Sequence, residues 1–123
     1  GLSAGVSLAA GGTSWGVISD QHVKKDIEPV DSAEILAKLV AIPMSRWRYE
    51  WEEAEAVPHI GPMAQDFKAA FYPGANDKVI TTQEADGVAL AAIQGLNQKV
   101  EELRAENDAL RSELDAIKRA LGL

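Results

Sequence analysis

From Ile93 to Leu121 the chain repeats one pattern. Ile93, Leu96, Val100, Leu103, Asn107, Leu110, Leu114, Ile117 and Leu121 are separated alternately by 3 and 4 residues, and Asn107 is the single polar member. That is an a/d heptad seam, and it predicts a long helix over residues 86–123. A lone helix with so narrow an apolar stripe leaves its leucines in water, so the seam predicts identical chains zipped together. Upstream the pattern changes. Asp31 and Glu34 have the spacing of a helix N-cap and its reciprocal partner, and Ile35, Leu36, Leu39 and Val40 follow at helical spacing until Pro43, which predicts a helix over 32–42. Trp47, Tyr49 and Trp51 then alternate with Arg46, Arg48 and Glu50, the period of a strand with one aromatic face buried. A second strand is expected to begin near His59 and Ile60 and to end at Gly61-Pro62. Met63, Phe67 and Phe71 recur every four residues and predict a short helix packed on that aromatic face, with a turn cluster at residues 72–77.

With Ile93, Val100, Asn107, Leu114 and Leu121 at a, Glu106 and Glu113 at g face Arg111 and Lys118 at e of a parallel neighbour. Lys99 facing Arg104 repels, so the charges favour a parallel, in-register bundle only modestly. The seam itself leaves the chain number open. Val100 and Asn107 at a, with leucine at most d positions, lean toward two strands, whereas Ile117 at d and Leu114 and Leu121 at a lean toward three or more. A DNA-binding zipper is the competing reading, and it fails because the thirteen residues before Lys99 contain no basic side chain where a basic helix would be required.

Composition narrows the choice further. The chain has 123 residues, no cysteine and a formal charge of −7, which excludes disulfides and thiolate metal centres and argues against nucleic acid as a partner. No apolar run approaches the roughly 20 residues of a spanning helix, so no membrane insertion is expected. Residues 1–18 carry no charged side chain and hold five of the ten glycines, which reads as extended chain and turns, either a floppy end or the last part of an upstream β-rich body. The first residue is not a methionine, and this beginning reads as the tail of something longer. The expected organisation is therefore an upstream remnant at 1–18, a small α+β core at 19–85 and a coiled-coil helix at 86–123.

Candidate chemistry is sparse. The two histidines, His22 and His59, lie 37 residues apart without thiol partners, and no metal or cofactor site is expected. The carboxylates of Glu50 to Glu55 read as a solvated face. Ser19 and Lys24 remain, at the point where composition changes. A lysine amine serves as general base for a serine hydroxyl only when neutral, which requires desolvation or nearby positive charge. Five residues apart on a helix, the two side chains would point away from each other.

Ser19-Asp20-x-x-x-Lys24-x-x-Ile27, Pro43, the Trp47-to-Trp51 segment, His59-Ile60-Gly61-Pro62-Met63-Ala64-Gln65-Asp66-Phe67 and Asp86-Gly87-Val88 running into a coiled coil together resemble the peptidase S74 family. These are the intramolecular chaperone, auto-processing domains at the C-termini of phage endosialidases, tailspikes and tail fibres and of some bacterial surface proteins. The resemblance implies a homotrimer that helps its own upstream passenger to fold and then cuts itself off. It assigns Ser19 as nucleophile, Lys24 as general base and Ile18-Ser19 as the scissile bond; His59 and Gln65 belong to the module's signature and, with Asp20, which orients the loop or caps the following turn, are candidate supporting residues. His22 stands where relatives often carry arginine. Either an acyl shift to the serine oxygen or a water activated by the pair would serve. The expected location is a phage tail or a bacterial surface, and the alternative is a trimeric folding cap that stays attached.

Overall fold

The computed structural model describes residues 5–72 and 76–123. It is a mixed α+β chain that divides into two compact units, residues 1–30 and 31–123.

The first unit is a small antiparallel hairpin followed by a short turn. Strands β1 (Val6–Ser7) and β2 (Gly16–Val17) pair with Val6 opposite Val17 and Ser7 opposite Gly16. Gly11, at φ 74, supplies the left-handed backbone that the connecting loop needs. The Ile18 N–H donates to the Gly5 carbonyl at 3.5 Å, carrying the hairpin pairing one residue past β2. Residues 5–18 of the charge-free block are thus extended chain and turn, and the two strands pair with each other. A 3-10 turn at Gln21–Val23 follows.

In the second unit, helix α1 (Ser32–Ala41) starts where Asp31 accepts the Ala33 and Glu34 N–H groups at 3.1 and 3.2 Å. The expected reciprocal bond from Glu34 is replaced by an ion pair to Lys38 at 3.1 Å, one helical turn on. Strands β3 (Ser45–Trp47) and β4 (His59–Gly61) pair antiparallel with Trp47 opposite His59. The aromatic alternation overstates β3, which stops at Trp47. Glu52 folds back so that its carboxylate accepts the Tyr49 N–H at 2.9 Å, while the Glu52 N–H donates to the Tyr49 carbonyl at 3.0 Å. The rings of Trp47, Tyr49 and Trp51 still contact in series, edge-on at 4.8 Å and stacked at 4.4 Å, but across a turn rather than along a strand. Tyr49 and Trp51 are therefore exposed instead of forming a buried face.

Helix α2 (Ala64–Phe71) presents Phe67 to Ile42 and Val88, not to the aromatic ladder. Ile35, Leu39, Phe71 and Ile80 complete this core, and Val40 faces solvent. The turn cluster falls partly on residues 73–75, outside the described residues; beyond them Asn76 accepts the Lys78 N–H at 2.9 Å. Helix α3 (Thr82–Ala120) begins four residues earlier than the heptads suggest, because the Thr81 hydroxyl caps it by accepting the Glu84 N–H at 3.3 Å. Its 39 residues span roughly 58 Å. The first turns of α3 pack on α1 through Val88, Ala92 and Gly95, all buried. Beyond Gly95, no α3 residue is buried within the chain. Among the described residues no helix is long and apolar enough to cross a membrane.

Candidate active site at the Ser19 turn

Ser19 follows β2 by two residues, so the hairpin holds the Ile18-Ser19 peptide at its open end. Asp20 then adopts an extended conformation and caps the 3-10 turn, its Oδ1 accepting the His22 N–H at 2.9 Å. The same oxygen lies 2.9 Å from His22 Nδ1. Acceptance of the His22 backbone N–H, helped by the ring contact, holds the Asp20 carboxyl below the usual carboxylate range. The turn lasts three residues, and Lys24 leaves it in extended conformation at φ −101 and ψ 149. An α-helix would carry Lys24 about 140° around the axis from Ser19. The shorter turn with an extended residue at each end folds it back instead, and Lys24 Nζ donates to Ser19 Oγ at 2.6 Å. Both side chains are exposed, as is Trp15, so within this unit neither the indole nor the hairpin shields the amine.

His59 and Gln65 belong to the second unit. His59 sits on β4 with Nε2 2.8 Å from Glu52 Oε1 and its ring 4.7 Å from that of Trp47. Gln65 lies in the first turn of α2, exposed, beside a groove of about 640 Å³ whose walls include Trp47, Ile60 and Met63. Sequence reasoning missed Glu52 altogether. One oxygen of this carboxylate takes the Tyr49 N–H and meets His59, while Arg48 Nε donates to the Ala56 carbonyl at 2.6 Å, so the 48–58 loop is tied from both sides. The Tyr49 N–H pushes the Glu52 carboxyl downward, against partial desolvation and aided by His59. In a run of acidic residues nothing in the spacing distinguishes Glu52 from its neighbours; only the backward turn does.

A family model described as peptidase S74, chaperone of endosialidase, matches residues 19–76. Residues 19–76 are thus similar to the peptidase S74 family. The match opens on Ser19 itself and takes in Lys24, His59 and Gln65, whereas the heptad seam lies beyond its end. The family's description supports a chaperone role for the S74 module, and its peptidase title makes the serine-lysine contact the chemistry of interest. No curated protein matches the chain.

Proposed function

We propose that the chain is a C-terminal intramolecular chaperone that assembles as a parallel homotrimer, assists the folding of an upstream β-rich passenger, and releases itself by cutting Ile18-Ser19. It acts on its own chain in cis, without metal or cofactor, in a phage tail component or bacterial surface protein. The observation that carries this reading is the 2.6 Å contact between Lys24 Nζ and Ser19 Oγ, one residue from the bond to be cut.

The chemistry follows from that placement. Lys24, once neutral, takes the Ser19 hydroxyl proton as Oγ attacks the Ile18 carbonyl carbon. The new C–O bond forms as the Ile18–Ser19 C–N bond breaks, and the freed amine takes up the proton. Water then hydrolyses the ester, releasing the Ile18 carboxylate and restoring the Ser19 hydroxyl. Nucleophile and target belong to adjacent residues, so no bimolecular encounter is needed, and effective molarities for such arrangements reach about 10⁵ M or more. The event occurs once per chain.

Timing comes from solvation. In the single chain Lys24 is exposed and donates its hydrogen bond to Ser19. Burying an amine disfavours its charged form. Neighbouring chains packed around the turn supply that burial, so cutting waits for assembly. The resemblance to the peptidase S74 family favours three chains where the heptads leave the number open. Mass spectrometry of the protein joined to its passenger tests the proposal. The expected result is a new N-terminus at Ser19 that disappears in Ser19→Ala and in Lys24→Ala; a chain that stays whole with both residues present would make it a retained folding cap instead.

A further inference from the structure

The parallel self-seam proposed above places a second contact between copies, and this inference rests on that seam. Helix α3 has three distinct sides. Val88, Ala92 and Gly95 lie on the side covered by α1, and the a/d residues from Ile93 onward form the uncovered seam. Leu90 belongs to neither, yet it is 66% exposed. In the heptad frame Leu90 is an e position and Ala85 a g position, on opposite flanks of the seam.

In a parallel bundle each g residue faces the e residue five positions later on the next helix. The pairs Glu106 with Arg111 and Glu113 with Lys118 obey that rule with opposite charges. One turn before Ile93 the same rule brings Ala85 opposite Leu90 of the neighbour. Ala85 is no isolated surface position: it lines the groove of about 640 Å³ together with Ile60, Met63, Phe67, Thr81 and Thr82. Ile60 and Met63 are 70% and 40% exposed, so this wall needs apolar cover as much as Leu90 does.

We propose that Leu90 of each chain packs over Ala85 into the groove of its neighbour. Because Thr81, Thr82 and Ala85 line the groove, it opens on the g flank of α3, and Leu90 projects from the other. Each chain thus gives its leucine to one neighbour and receives one from the other, a head-to-tail contact that closes only as a ring. The core of every S74 module is then completed by the next chain.

Absence of native cysteine makes the test clean, since introduced thiols have no competitor. Full chains carrying Ala85→Cys and full chains carrying Leu90→Cys are co-expressed, purified as assembled protein and treated with a short bismaleimide. A two-chain band is expected in the mixture and in neither variant alone. Asn107→Cys, at the centre of the seam, is the reference and is expected to crosslink by itself. Crosslinking of Asn107→Cys without any in the mixture would overturn the Leu90 contact while leaving the seam standing. Failure of both would remove the parallel seam and this inference with it.

Discussion

At the scale of single residues, Asp20 shapes the turn on which the proposed Ser19 and Lys24 chemistry depends. Its one oxygen accepts the His22 N–H and meets the His22 ring, and these bonds keep the turn short enough to return Lys24 to Ser19. The Asp20 carboxyl is held low in the folded turn, so its contribution is fully present above the ordinary aspartate value of about 3.9 and is lost as pH falls through the lower folded value. The His22 amide resonance should therefore titrate with a midpoint below about 3.9, and an unshifted midpoint would show that the cap does not form. Asp20→Ala should slow the proposed self-cleavage several-fold at neutral pH, while Asp20→Asn, which keeps a side-chain acceptor, should restore most of the rate. Loss of rate in Asp20→Asn equal to that in Asp20→Ala would mean the charge, not the cap, matters. Serine, aspartate and lysine were legible in the sequence as residue types at a break in composition. Their contact was not, because five positions read on an α-helix separate two side chains that a three-residue 3-10 turn brings together.

Secondary elements show where periodicity informs and where it misleads. The α1 cap and the α3 heptads were legible because each depends on local rules. The Trp47, Tyr49 and Trp51 alternation looked like a strand, yet ring stacking can continue through a turn, and only the Glu52 bond to the Tyr49 N–H ends the strand. The destination of Phe67 was equally hidden, since a stripe of apolar residues does not say which partner covers it. The α1–α3 crossing was missed for a related reason: two glycines in α3 look alike in sequence but differ in surroundings. A Cβ at Gly87 would meet nothing within 4 Å, whereas one at Gly95 would run into the Ser32 carbonyl, with Ser32 C at 2.8 Å and Leu36 Cβ at 3.1 Å. Gly87→Ala should raise the melting temperature by a few degrees, since alanine gains up to about 1 kcal/mol over glycine in a helix interior. Gly95→Ala carries the same gain but must push α1 away, at a cost of about 1–3 kcal/mol or more, so its melting temperature should fall. Equal shifts in the two variants would show that α1 does not rest on Gly95.

For the molecule as a whole, the balance between inner and outer apolar surface sets the behaviour. The core of the second unit is a handful of side chains around Ile42, Phe67 and Val88, while the seam residues stand out in water: Leu103 is 61% exposed and Leu110 is 56% exposed. Transferring a leucine, isoleucine or valine from water into a packed seam contributes about 1.5–3 kcal/mol, so the eight apolar seam positions per chain outweigh what so small a core supplies by itself. Leu103→Asp combined with Leu110→Asp replaces two of these layers with clustered like charge on either side of Asn107. The chains should then sediment as monomers with α3 largely unfolded, because an isolated helix of this kind has little to hold it beyond its contact with α1. If neighbouring chains supply the burial that frees the Lys24 amine of its proton, this variant should also leave the Ile18-Ser19 bond whole, although Ser19, Asp20 and Lys24 are untouched. Monomers that sediment as single chains and still cut at the wild-type rate would separate the chemistry from assembly. The Lys24 side chain beside Ser19 would then need no neighbouring chain, and the seam would serve the passenger's folding alone.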